Sequence, residues 1–207
     1  GKTKFYIQDE SGRGIQIFNY DELEVTYNRG DNISVTGTVE LYLGSSGLEY
    51  NVEIIDPDIT LLDTGNDLPD AHTVTGSEGL TMNGTWASAT GYLTAYVPET
   101  SSTTLIITDN GNEIECIFWN SAVPQSELTE YEGMVGQELS ISGVITFYDA
   151  TPQLTCGYED DINTDETLPV ADAGPNQEAL PGATVTLDGS GSYDTYAADG
   201  VSPGGLV

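Results

Sequence analysis

Gly30-Asp31-Asn32-Ile33-Ser34-Val35-Thr36-Gly37-Thr38-Val39 returns further along the chain as Gly136-Gln137-Glu138-Leu139-Ser140-Ile141-Ser142-Gly143-Val144-Ile145. Both stretches put an apolar residue at every second position, the period of a strand with one buried face. Upstream lies a second matched block. Phe5-Tyr6-Ile7-Gln8-Asp9-Glu10-Ser11-Gly12 leading to Ile15-Gln16-Ile17-Phe18-Asn19 parallels Leu105-Ile106-Ile107-Thr108-Asp109-Asn110-Gly111 leading to Ile114-Glu115-Cys116-Ile117-Phe118. Each is a strand, an Asp/Gly turn and a second strand. The offset is 100 residues in the first strand of the hairpin block, 99 in its second strand and 106 in the strand block, so copy two has the longer connection. Ser126-Glu127-Leu128-Thr129-Glu130-Tyr131 within it reads as a capping residue followed by a short helical turn. A unit that recurs in order is a duplicated supersecondary element.

The composition agrees with strands and turns. Twelve tyrosines, 24 glycines and abundant Thr, Val and Ile in 207 residues, 38% of them apolar, describe an all-β protein with real cores. Hairpin, short helix, a strand opening Gly-x-x-Ile/Leu and a last hairpin resembles the OB-fold modules of exported bacterial multidomain proteins, including secreted nucleases. The resemblance covers residues 3–56 and 82–160 and implies two tandem OB-fold barrels plus a C-terminal extended strand. The expected division is 1–56, an OB-like barrel lacking its first strand; 57–81, an acidic linker and connecting strand; 82–160, the second barrel; and 161–207, an acidic linker and tail.

The two copies differ at their start. Copy two opens with Thr85-Trp86-Ala87-Ser88-Ala89-Thr90-Gly91-Tyr92-Leu93-Thr94-Ala95-Tyr96-Val97, whereas only Gly1-Lys2-Thr3-Lys4 precedes Phe5 in copy one. A five-stranded barrel short of one strand exposes unpaired backbone and an open core. Phe5, Ile7, Ile15 and Ile17 would line that groove. Either the chain is cut from a longer polypeptide, or a strand comes from another subunit.

The tail changes character. Leu168-Pro169-Val170-Ala171-Asp172-Ala173-Gly174-Pro175-Asn176-Gln177, then Gly182-Ala183-Thr184-Val185-Thr186-Leu187-Asp188-Gly189-Ser190-Gly191-Ser192-Tyr193-Asp194, resembles the opening of a PKD domain, an immunoglobulin-like extracellular sandwich. Too few residues follow to close such a sandwich. The alternation of Ala183, Val185 and Leu187 makes one good donor strand. Vacancy and donor together imply head-to-tail self-association, which yields a filament or surface layer if it does not close into a ring.

Charge points the same way. All four cations, Lys2, Lys4, Arg13 and Arg29, fall in the first 29 residues, against 34 carboxylates and a net charge of −30. A polyanion of this kind disfavours nucleic acid and anionic membrane as partners and favours divalent cations or a basic surface. No apolar run approaches a membrane span, and a chain that begins at Gly1 reads as a processed piece of an exported, extracellular or cell-surface protein.

Candidate chemistry is sparse. Asp63 and Asp67 in one acidic stretch, and Asp160, Asp161 and Asp165 in another, supply oxygens for a structural calcium ion, or else are solvated loop carboxylates. Cys116 and Cys156 have no nearby histidine to make a zinc site. The OB resemblance puts them on neighbouring strands, as a disulfide or as two buried thiols. The sole histidine, His72, lacks a nucleophile elbow, and no P-loop occurs, so no enzymatic activity is expected. Tyr6, Phe18, Tyr42 and Tyr50, and Tyr92, Trp119, Phe147 and Tyr148, are read as barrel core and cross-strand pairs. An accessory region of a larger secreted enzyme such as a nuclease, binding single-stranded nucleic acid or a glycan, is the alternative reading.

Overall fold

A computed structural model describes residues 2–43, 47, 50–74, 82–148, 151–164, 185–186, 190, 193–194 and 204–205. Contacts divide the chain into two units, Gly1–Thr164 and Asp165–Val207. The first is built almost wholly of strands.

Its closed half comprises β6 (Trp86–Pro98), β7 (Ser102–Asp109), β8 (Asn112–Trp119), β9 (Glu138–Tyr148) and β10 (Thr151–Cys156). They hydrogen-bond in the order β6-β7-β8-β10-β9, and β9 returns to β6 to shut the barrel. β6 does this by changing partner midway. Trp86 to Tyr92 face β9, and Tyr92 to Pro98 face β7. Gly91 lies at the crossover, where a Cβ would stand 2.6 Å from the Thr108 carbonyl oxygen. Small inward residues before it, Ala87 and Ala89, let the strand wrap tightly, and Leu93 after it fills the core. Two short strands dress the barrel, β5 (His72–Thr73) beside β6 and β11 (Ile162–Asn163) beside β9.

Between β8 and β9 run two 3-10 turns, Gln125–Glu127 and Thr129–Met134. Val123, Leu128 and Tyr131 drop from this connection into the core, and the Tyr131 hydroxyl donates to Glu159 at 2.9 Å. The expected helical turn is therefore present as a plug on the closed barrel, but Ser126 lies inside the first 3-10 turn and caps neither.

The other half is a four-stranded sheet: β1 (Thr3–Gln8), β2 (Gly14–Asn19), β3 (Asn32–Leu43) and β4 (Tyr50–Asp63), in the order β1-β2-β4-β3. Strand for strand these correspond to β7, β8, β9 and β10. Among the described residues no strand joins β1 to β3, the place that β6 holds in the closed barrel. The repeated glycines have common causes. Gly30 and Gly136 both take positive φ, 87° and 96°, which a side chain resists. A Cβ at Gly37 would lie 2.8 Å from the Ile55 carbonyl oxygen, and one at Gly143 would lie 2.9 Å from that of Thr155.

One boundary differs from the sequence reading. The residues expected to begin the linker at 57 continue β4 as far as Asp63. Asp56 takes φ 49°, and the ladder slips between Thr36 and Thr38, so Pro57 sits in a bulge where its missing N–H leaves no rung broken. Beyond it Ile59 and Leu61 pair with Val35 and Ile33.

Arg29 joins the two halves. Its guanidinium lies between the rings of Trp86 and Tyr158, 4.8 and 4.7 Å from their centroids. It donates to Asp161 and stands 3.6 Å from an Asp160 oxygen. Trp86 N–H also donates to the Gln8 side chain at 2.7 Å. In the second unit only β12 (Tyr193–Asp194), antiparallel to β13 (Gly204–Gly205), is described as strand.

Candidate strand-accepting groove

The register of β1 on β2 sets Phe5 opposite Ile17 and Ile7 opposite Ile15, so all four share one face. The closed barrel does the same with Leu105 opposite Cys116 and Ile107 opposite Ile114, and there the face is the interior. The register thus sets these four residues on one face of the β1-β2 pair. Ile17 is fully buried, while Phe5, Ile7 and Ile15 are half-buried. Phe5 also meets the Tyr27 ring at 5.9 Å.

The more telling residues lie on β3 and β4. Val39 pairs with Ile54 and Leu41 with Val52, and these pairs continue the interior face. Their counterparts in the closed barrel, Ile145 and Phe147, are 1% and 5% exposed; Val39 and Leu41 are 65% and 56% exposed. Leu43 and Val52 add to the bare patch. The cause is visible in the closed barrel. There Gly84 N–H donates to the Ile145 carbonyl, and Ile145 N–H donates to the Thr85 carbonyl, as the chain enters β6. Among the described residues copy one has neither that strand nor a counterpart of the Val123-Leu128-Tyr131 plug. Sequence reading left Val39 out of the groove and missed Leu41, Leu43 and Val52, because the repeat was followed only as far as Val39. The alternation Val39-x-Leu41-x-Leu43 carries the signal on.

The opposite face of the same sheet is polar across its width. Tyr6, Gln16, Glu53 and Glu40 are successive partners on β1, β2, β4 and β3. The Tyr6 hydroxyl donates to the Gln16 carbonyl oxygen at 2.9 Å, and the Gln16 amide donates to Glu53. Burial, reinforced by Glu40 directly opposite, raises the pKa of Glu53 above the ordinary carboxylate range; Gln16 and Lys4 oppose the shift. Desolvation lowers that of Lys4, with Glu53 opposing. Lys2 stands 5.7 and 5.9 Å from the ring centroids of Phe18 and Tyr20, and Lys4 is 5.6 Å from that of Tyr6.

The described candidate metal ligands, Asp63, Asp67, Asp160 and Asp161, are not gathered into one site. Among the described residues no group of three or more His, Cys, Asp or Glu could hold a metal ion. Asp161 is already engaged: one carboxylate oxygen takes the Arg29 hydrogen bond, and the other accepts the N–H groups of Gly157 and Tyr158, each at 3.1 Å. Burial raises its pKa, while Arg29 and these donors hold it down. Asp160 faces the same arginine. Asp63 and Asp67 are exposed, Asp63 accepting Thr64 N–H at 2.9 Å, and Asp165 lies outside the described residues.

Cys116 and Cys156 do sit on adjacent strands, β8 and β10, but as free buried thiols and not as a disulfide. The parallel register sets Cys116 opposite Leu154 and Cys156 opposite Phe118, two residues out of step. Burial raises the Cys156 pKa, and a hydrogen bond with the Cys116 thiol adds to this. His72 is exposed on β5. Of the aromatic residues read as core, Phe147 is buried, but Tyr42, Tyr92, Trp119 and Tyr148 are between 45% and 60% exposed. Strand alternation turns these four outward. Of the donor residues, Val185 is described and is 45% exposed, while Ala183 and Leu187 lie outside the described residues.

Neither a known family nor a curated protein matches the chain. Solved structures do. A chain of the Schizosaccharomyces pombe Stn1-Ten1 complex is 19% identical with a TM-score of 0.32, over 35% of this chain and 54% of that one. The second OB-fold domain of replication protein A from Methanococcus maripaludis is 17% identical with a TM-score of 0.30, over 39% and 83%. The Ifi202 HINa domain in complex with 20 bp double-stranded DNA is 15% identical with a TM-score of 0.33, over 75% and 80%. The fold rests on the strands themselves: a five-stranded barrel in the order β6-β7-β8-β10-β9 shut back onto β6 is the OB-fold arrangement, and the described residues are nearly all β. No helix among the described residues is long and apolar enough to cross a membrane.

Proposed function

We propose that this is a non-enzymatic, extracellular structural protein that assembles head to tail, the tail of one copy entering the open barrel of the next. One observation carries the reading: a face that is sealed in the closed barrel is bare on β3 and β4 of the open one, between two strand edges, β1 and β3, that have no partner among the described residues. An incoming strand would satisfy the backbone of both edges and cover the apolar patch at once, the economy of β-strand addition. Charge supports the choice of donor. Lys2 precedes β1 and Lys4 lies on it, while the residues after Thr164 hold carboxylates and no cation. The acidic, cation-free composition and the PKD-like opening of the tail support the extracellular assignment. Deleting residues 183–207 is expected to leave a folded first unit that sediments as a monomer where the full chain forms polymers; polymers that survive the deletion would sink the reading.

A second reading, an accessory nucleic-acid-binding region of a larger secreted enzyme such as a nuclease, is favoured by the cations and rings on the outer face of β1 and β2. Lys2, Lys4, Tyr6, Phe18 and Tyr20 combine charge with stacking surface. The corresponding outer face of β7 and β8 carries Glu113 and Glu115 instead. Fluorescence anisotropy with a single-stranded oligonucleotide, compared between the native chain and Lys4→Ala, tests it.

A further inference from the structure

Resting on the strand-acceptance reading, the geometry of the closed barrel points to a specific register: we infer that residues 180–191 of a second copy occupy the open barrel as residues 82–93 occupy the closed one. Met82-Asn83-Gly84-Thr85-Trp86-Ala87-Ser88-Ala89-Thr90-Gly91-Tyr92-Leu93 and Leu180-Pro181-Gly182-Ala183-Thr184-Val185-Thr186-Leu187-Asp188-Gly189-Ser190-Gly191 share two glycines at the same seven-residue spacing. The spacing is physical in the closed barrel. Gly84 takes φ 85° as the chain turns into the strand, and Gly91 is where β6 crosses from β9 to β7, with no room for a Cβ over the Thr108 carbonyl. In copy one Gln8 stands where Thr108 does, so a donor strand meets the same carbonyl, and Gly189 supplies the residue that can pass it.

The rest of the pattern follows. Inward Ala87 and Ala89 become Val185 and Leu187, larger residues suited to a barrel without the Val123-Leu128-Tyr131 plug. Outward Ser88 and Thr90 become Thr186 and Asp188, polar as the exterior of a barrel requires. Met82, which packs against the closed core, becomes Leu180, placed to cover Val39 and Leu41. Gly182 and Ala183 then bond to the backbone of Val39 as Gly84 and Thr85 do to that of Ile145. The strand runs antiparallel to both edges, from Thr38 towards Asn32 on β3 and then along β1 from Gln8, as β6 does on β9 and β7.

Two substitutions in the full chain separate this register from its neighbours. Gly189→Val puts a branched side chain against the Gln8 carbonyl and is expected to weaken self-association at least tenfold by sedimentation velocity. Gly191→Val, at the position of the large inward Leu93, is expected to leave it within about twofold, since a core position of this size accepts an apolar residue. The pair Leu187→Cys and Val35→Cys, which the register sets opposite each other as Ala89 and Ile141 are, should form an interchain disulfide on oxidation. Equal effects of the two glycine substitutions, or no interchain disulfide, would overturn the register while tail-dependent assembly stood. A disulfide formed only within one chain would overturn the second copy as occupant. Self-association unchanged by deleting residues 183–207 would remove the strand-acceptance reading beneath it.

Discussion

Glu53 shows how a single residue reports on its surroundings. It lies at the middle of the open sheet with Glu40 directly across the ladder, an arrangement of like charges that strands normally avoid. Its pKa is raised in the fold, so the native state holds the proton more tightly than the unfolded chain does. Stability is therefore lost as pH rises from the ordinary carboxylate range through the raised value, and the loss persists above it. Glu53→Gln removes the charge and keeps a hydrogen-bonding partner for Gln16. The variant is expected to exceed the native chain in urea midpoint at neutral pH, and the difference should close on acidification towards pH 4. A gap that widened on acidification would show Glu53 stabilised as the anion. Nothing in the sequence announced this residue, because the cross-strand row exists only once register is known. Asp161 was legible as a carboxylate but not as the partner of Arg29, 132 residues away.

At the scale of elements, the repeat made most of the fold readable. Gly37 and Gly143 recur because the neighbouring strand passes too close for any side chain, and Gly30 and Gly136 because the chain enters the next strand with positive φ. Gly143→Val is expected to destabilise the closed barrel by about 1–3 kcal/mol, the usual range for overpacking. Chemical denaturation followed by the fluorescence of Trp86 and Trp119 checks it; an unchanged midpoint would mean that β10 gives way. The extension of β4 past Pro57 was not legible, since an Asp-Pro pair ordinarily ends a strand and only the bulge opposite Gly37 accommodates it. The groove was half legible: Phe5, Ile7, Ile15 and Ile17 followed from alternation, whereas the bare apolar surface on β3 follows from what fails to cover it.

For the whole molecule the governing quantity is a net charge of −30. At 10 mM ionic strength the screening length is roughly 30 Å, so entire copies repel one another. Near 0.15 M it shortens to about 8 Å, and only groups close to a contact still count; in the proposed assembly these would be Lys2 and Lys4 against an acidic tail. Self-association is therefore expected to strengthen between 10 and 150 mM sodium chloride. Light scattering across that range decides it: steady weakening would show that charge attraction, and not strand addition, holds copies together.

The open barrel also gives any such assembly a direction. Each junction fills one groove and uses one tail, so a filament of any length ends in an empty groove at one extremity and an unused tail at the other. The two extremities then differ chemically. A free peptide carrying residues 180–194 would cap only the first, while a tail-deleted chain would cap only the second, halting growth from one side and leaving the other able to extend.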